Sequence, residues 1–471
     1  MDSTNDTSRI LYVSDRHAIL SAFRDAIEAA EHSILLQMYL FARNGEQTLL
    51  LPRPGSFPYA NTVARWLIEK KKLRPKLPIV VVLDSNTPEN PKRTRSGGTL
   101  LRQFLLQHGI VVLCANLFAT KFDRRRHFLS AKNLHLNHEN IPAAEWVETQ
   151  NLWQALHNVE DHRKNLLIDQ GRLALVTSHN LFDPAWDWYE NLFWIEGGAA
   201  KAVFSSALLA VRQALEIPQP AQPERPETWL PMLCKEPLPE LPETPANPSD
   251  RMIDGYPFPR SNLRSQKATT SQVLVLEHAA IRERLSQLLQ GAQKEDRLLI
   301  ATAYFSDLSV MEEVESALKR GVHIHVLIDS LHALPLPPVF RFLTTKLVNF
   351  EVVDRALRLQ TRYPETFAFR IHHSVRGAMM HLKTAARLGR EPLLLGGQAN
   401  YTPNSFGGAY LETDLETQNT EVVGAFAKHF ETLWLLPDTR PLKTKPGVSS
   451  FFMWILCKTL LLIFRVFGIR P

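Results

Sequence analysis

One order of elements appears twice in this chain, once on each side of a proline-dense stretch, and that repetition limits the fold more than any single motif does. In the first half an amphipathic helix over residues 18–30 leads into an apolar strand at 33–41, followed by a helix at 63–70 and a strand at 79–84. The second half repeats this with a helix at 281–289, a strand at 297–305, a helix at 311–319 and a strand at 322–329. Apolar residues run without interruption through these strands, as in Ile79-Val80-Val81-Val82-Leu83, so both faces of each strand should be covered. The expected class is α/β: two pseudo-repeated α/β/α sandwich lobes with mostly parallel, mixed sheets.

Between the halves, prolines from Pro218 to Pro259 exclude a long helix or an interior strand. This reads as a connector, either a disordered link or one whose Trp229 and Leu230 pack on a lobe. The expected organisation is an N-terminal half over 8–216, the connector over 217–268, a C-terminal half over 269–437 and an amphipathic tail over 447–471. With 471 residues, 45% of them hydrophobic, the chain can bury one large core or two smaller ones.

Chemistry-bearing residues recur in the same order as the elements. His162-Arg163-Lys164 is followed, after four intervening residues, by Asp169, then by Ser178-His179-Asn180 and Glu190. His381-Leu382-Lys383 repeats the start, then come Gly396-Gly397-Gln398-Ala399-Asn400 and Glu421. Two histidines, two lysines, two asparagines and two acids thus suggest a site split between half-chains. Trp186, Trp188, Tyr189, Phe193 and Trp194 follow the first motif and are read either as packing or as an apolar wall beside a lipid or nucleoside.

This double His-x-Lys pattern, with Ser-x-Asn and an acid downstream, resembles the phospholipase D superfamily, which also includes cardiolipin and phosphatidylserine synthases and some nucleases. The resemblance spans roughly residues 10–435, and the second motif departs from it twice: Leu388 stands where an Asp is usual and Gln398 where a Ser is. It implies a site at the lobe interface and phosphodiester hydrolysis or phosphatidyl transfer through a phosphohistidine, without metal or cofactor. Lys164 and Lys383 would be the cations that offset the substrate's negative charge, with Asn180 and Asn400 as neutral donors beside Ser178. On family precedent and its complete motif, His162 is the nucleophile and His381 the general acid, the reverse order being the alternative. The resemblance also pairs Glu421 with His162 and Glu190 with His381, and it puts Asp169 behind the site. Nuclease activity or a catalytically degenerate membrane-binding scaffold are the alternatives.

The net charge of +6, concentrated in runs such as Lys70-Lys71-Lys72, Lys92-Arg93 and Arg124-Arg125-Arg126, suits an anionic partner, a phospholipid surface before nucleic acid. Residues 451–467 are the most apolar stretch, broken by Lys458 and Arg465 on one helical stripe; this suits a helix lying in an anionic membrane surface, with docking on the protein's own core or a tail anchor as the other readings. Three scattered cysteines argue against a disulfide framework and for a reducing, cytoplasmic setting, peripheral to or anchored at a membrane. Neither His135, His138 and Glu139 nor His372 and His373 match a zinc spacing, so no metal is expected.

Overall fold

The computed structural model describes residues 7–42, 57–84, 99–115, 160–215, 226–234, 269–334, 345, 347–374, 377–407, 410–442 and 459. All of the expected tail but Thr459, the basic runs around Lys92 and Arg124, the His135/His138 pair and most of the connector lie outside them. The described residues form two compact units, one within Met1–Trp186 and Glu190–Val275, the other within Asp187–Tyr189 and Leu276–Pro471.

In the first unit the elements are β1 (Thr7–Val13), α1 (Arg16–Ala29), β2 (Ile34–Met38), α2 (Tyr59–Leu73), β3 (Ile79–Leu83), α3 (Thr99–Gln107) and β4 (Val111–Cys114). After them come β5 (Lys164–Ile168), β6 (Leu173–Thr177), β7 (Leu192–Gly197), α4 (Gly198–Leu215), α5 (Pro226–Leu233) and β8 (Thr269–Glu277). The sheet runs β8-β1-β7-β6-β5-β2-β3-β4. Its parallel part is β2-β3-β4, where helices cross over, while the motif strand β5 lies antiparallel between β2 and β6.

Alternation sorts the strands' side chains into two cores. Ile34, Leu36, Ile79, Val81, Leu166, Ile168, Leu173 and Leu175 pack with Ile19, Phe23, Val63 and Leu67 of α1 and α2. The alternate residues Leu35, Val80, Leu167, Ala174 and Phe193 are equally buried on the other face, where α4 supplies Val203 and Phe204. Each such side chain contributes about 1.5–3 kcal/mol relative to exposure. α1 begins slightly earlier than its apolar period predicts because the Asp15 carboxylate caps it, accepting the Ala18 N–H at 2.9 Å.

Part of the connector is ordered against this unit. Trp229 and Leu233 of α5 are buried, and the Met232 carbonyl accepts from Gln170 Nε2 at 3.1 Å. Pro226 opens the helix, where its missing N–H costs nothing.

The second unit comprises α6 (Ala279–Gly291), β9 (Arg297–Thr302), α7 (Leu308–Lys319), β10 (His323–Asp329), α8 (Phe350–Arg362) and β11 (Phe367–His372). These are followed by β12 (Lys383–Leu388), β13 (Leu393–Gly397), β14 (Thr413–Thr417), α9 (Thr420–Trp434) and β15 (Thr439–Pro441). Its strand order is β15-β11-β10-β9-β12-β13-β14, again parallel in β9-β10-β11 and antiparallel through the motif strand β12. The mixed α/β class read from the sequence is therefore present in both units, with the His-x-Lys strand in equivalent places.

Candidate active site

Each reactive lysine opens its strand at the same register. Lys164 of β5 pairs with Met38, the last residue of β2, and Lys383 of β12 pairs with Thr302, the last residue of β9. The histidine two residues earlier therefore sits just off the end of the sheet. Both lysines are fully buried, and His162 and His381 are 8% and 4% exposed. Burying an ammonium is costly without partners, so each must have a use or a neighbour. Lys164 Nζ lies 3.2 Å from His162 Nδ1 and 5.2 Å from the centroid of the Tyr39 ring, which also packs edge-on against the His162 imidazole. Lys383 Nζ lies 3.0 Å from His381 Nδ1 and 2.8 Å from its Nε2, and donates to its carbonyl at 2.9 Å. An ammonium can only donate, so the His162 nitrogen that Lys164 faces acts as acceptor.

The first motif is locked from both sides. Arg163 forks onto Asp161, Nε to Oδ1 at 2.8 Å and Nη2 to Oδ2 at 3.0 Å, while Gln37 Nε2 donates to Asp161 Oδ2 at 2.7 Å. Both neighbours of His162 are thereby fixed by a buried ion pair. In the second motif apolar Leu382 takes the place of Arg163, and the backbone is tied instead. Here residues 187–189 join the second unit: Tyr189 N–H donates to the Met379 carbonyl at 2.7 Å, and the His381 N–H donates to the Tyr189 carbonyl at 2.9 Å. Trp188 packs its ring 5.0 Å from the His381 imidazole. Trp186, by contrast, belongs to the first unit's core with Tyr59, and Phe193 packs on Tyr12.

Asp169 lies at the far end of β5 from His162. Its carboxylate accepts the backbone N–H groups of Glu31, His32 and Ser33 at 3.0, 2.6 and 2.9 Å and pairs with Arg172. It thus closes the turn from α1 into β2, in a left-handed backbone (φ 49°) that continues through Gln170 and Gly171. Leu388 at the matching place in β12 does none of this. The turn into β9 carries its own acid, Asp296, which accepts the Gln293 N–H at 2.8 Å and presses on Gly389 so closely that a Cβ there would meet its Oδ1 at 1.9 Å.

Downstream the two ladders can be superposed by register. Thr177 pairs with Leu192 and Gly397 with Asp414, which sets Ser178 against Gln398, Asn180 against Asn400, Asn191 against Thr413 and Glu190 against Glu412. The hydrogen bonds agree. Asn191 N–H donates to Ser178 Oγ at 3.0 Å, and the corresponding Thr413 N–H donates to Gln398 Oε1 at 3.1 Å. Gln398 therefore supplies the acceptor of the expected serine. Ser178 also donates to Glu190, which is 1% exposed. Glu190, with burial as the larger cause, holds the Tyr59 phenol well above its ordinary pKa, and Asp414 does the same beside buried Tyr401.

The register corrects one expectation. Glu421 sits exposed in the first turn of α9, next to the Asn419 cap that receives the Glu421 and Val422 N–H groups. The acid at Glu190's place, two residues ahead of the ladder, is Glu412, fully buried. Sequence order alone missed it because Glu412, Asp414, Glu416 and Glu421 all follow Asn400, and only strand pairing selects among them.

Asn180 and Asn400 share a further property: each is buried, and each amide oxygen lacks a hydrogen-bond partner. An amide oxygen can only accept, so the group of each asparagine that could donate to a ligand is its Nδ2. His372, by contrast, spends its ring nitrogens on Thr439 Oγ1 at 3.0 Å and the Ala378 carbonyl at 2.9 Å.

Residues 285–434, which hold the second motif, match the family model described as cardiolipin synthase, PLD-like domain. The match takes in the second half-motif, with His381, Lys383, Asn400 and Glu412. No curated protein matches it. The fold of this chain is similar to that of phosphatidylserine synthase from Haemophilus influenzae Rd KW20, with a TM-score of 0.61 at 11% identity over 97% of this chain and 93% of that one. The phospholipase D family member Nuc from Salmonella typhimurium aligns with a TM-score of 0.26 at 14% identity, over 36% of this chain and 98% of that one, and adds no argument. Among the described residues, no helix is long and apolar enough to cross a membrane.

Proposed function

We propose that this protein is a phospholipid phosphodiesterase or phosphatidyltransferase that works through a phosphohistidine. The observation that carries the reading is the duplicated set of buried His, Lys and Asn at the same register in both units. A phosphodiester anion repels nucleophiles, and Lys164, Lys383 and the two asparagine amides are suited to hold its nonbridging oxygens. An imidazole nitrogen of His162 attacks phosphorus, the bond from phosphorus to the leaving oxygen breaks, and His381 hands that oxygen its proton. His381 then takes the proton of water or of an acceptor alcohol, whose oxygen displaces His162 from phosphorus. Glu190 and Glu412 are the buried acids suited to orient the imidazoles.

The apolar segment with Lys458 and Arg465 gives the protein its hold on an anionic membrane surface, the setting in which such a substrate is met. Truncation after Gly447 should abolish flotation with anionic liposomes.

Incubation with mixed phospholipid vesicles and a primary alcohol, with products resolved by mass, tests the function. Phosphatidic acid marks hydrolysis and a phosphatidylalcohol marks transfer. His162→Ala and His381→Ala should each abolish both products; full turnover by either variant overturns the mechanism. Cleavage of oligonucleotides with no lipid product would assign a nuclease instead.

A further inference from the structure

We propose that Asp329 is the positioning residue of the second half-motif, its carboxylate holding the backbone from which His381 is presented. This rests on the reading that His381 moves a proton in the reaction, and it assigns the group that fixes that histidine's place.

Asp329 ends β10, is fully buried, and shares its sheet with β12. Its Oδ2 accepts the Met380 N–H at 2.8 Å, one residue before His381. Its Oδ1 accepts the Ser374 hydroxyl at 3.0 Å and the Leu331 N–H, and Leu331 is held in a left-handed backbone (φ 61°) that a non-glycine residue adopts only when its surroundings impose it. Between residue 377 and Lys383 no regular strand carries the chain. The backbone tethers that place His381 therefore include its own N–H on the Tyr189 carbonyl and its neighbour's N–H on Asp329. The side chain of Leu382 offers nothing like the Arg163–Asp161 fork that steadies His162.

Three donors offset the burial of this carboxylate, yet burial still prevails and raises its pKa to about 7. The titratable groups around it are neutral at that pH. The Tyr304 phenol is pushed up by burial and by Asp329 itself, and the His372 imidazole, at the register position beside Asp329 on β11, is pushed down by burial. A proton goes to Oδ2, the oxygen with one donor rather than two, and sets a hydroxyl against the Met380 N–H. The tether then weakens, so His381 should be less well placed on the acid side of neutrality.

Asp329→Asn decides the matter, because one amide oxygen cannot serve all three donors and the amide NH2 must face one of them. Expected are a fall in kcat of about 10- to 100-fold with KM within about twofold, loss of one inflection near neutral pH from the kcat profile, and faster hydrogen exchange in the peptide containing Met380. The exchange readout needs no substrate, so a wild-type protein inactive on every phosphodiester would sink the proposed function while still testing the tether. If Asp329→Asn does not fold, wild-type exchange at that peptide, corrected for the intrinsic pH dependence, replaces it: protection should fall as pH drops through about 7. Unchanged kcat and exchange in the variant, or pH-independent protection in the wild type, overturns the proposal.

Discussion

Glu412 lies two residues ahead of the β13–β14 ladder just as Glu190 lies two residues ahead of the β6–β7 ladder, each following a buried asparagine and each withdrawn from solvent. Whatever Glu190 does for the first half-motif, Glu412 and not Glu421 is its counterpart. Glu412→Gln should lower turnover by about 100-fold, as expected for loss of a group that orients an imidazole. Glu421→Gln should leave turnover within a factor of about two and cost only about 0.3–1 kcal/mol at the N-terminus of α9. Steady-state kinetics and urea unfolding of the two variants check both halves of this statement.

Asp169 is a structural acid in its contacts: three backbone N–H groups and the Arg172 guanidinium all converge on it. Asp169→Asn turns an NH2 group toward at least one of these donors and leaves Arg172 without its anion. Destabilisation of about 2–4 kcal/mol is expected. The midpoint of urea denaturation should shift with an unchanged slope.

The missing Asp at position 388 is offset by a different closure of the turn into β9. Gly389, at φ 157°, leaves space that the Asp296 carboxylate fills. Gly389→Ala should therefore destabilise the protein by about 1–3 kcal/mol, through overpacking against Asp296. A thermal melt indistinguishable from wild type would show that this turn tolerates a Cβ.

His429 of α9 is held down to a pKa of about 4 by burial. Below the ordinary histidine pKa the unfolded chain binds a proton that the folded one refuses, so stability is complete above about pH 6.5 and is lost as pH falls toward 4. Unfolding midpoints measured from pH 7 to pH 4 should decline over this window, and His429→Gln should flatten the decline. His325, lowered to about 4 by burial and by Arg297, acts in the same direction.

The sequence by itself determined the α/β class and the spacing of the two His-x-Lys pairs. Uninterrupted apolar runs such as Ile79–Leu83 can be satisfied only by a sheet covered on both faces, and His162, Lys164, His381 and Lys383 are close enough along the chain for their strand to fix their geometry. It could not choose Glu412 from the acids that follow Asn400, nor explain Gln398 or the loss of Asp at 388. Those depend on cross-strand register and on which side chain reaches a neighbouring backbone N–H, as Gln398 reaches Thr413 and Asp296 reaches Gln293. Strand pairing joins residues far apart in the chain, and a shift of one position would turn each of these side chains to the opposite face. The same holds for Asp329: nothing near it in sequence reveals that its carboxylate accepts the Met380 N–H, because only the sheet that sets β9 between β10 and β12 brings the two together.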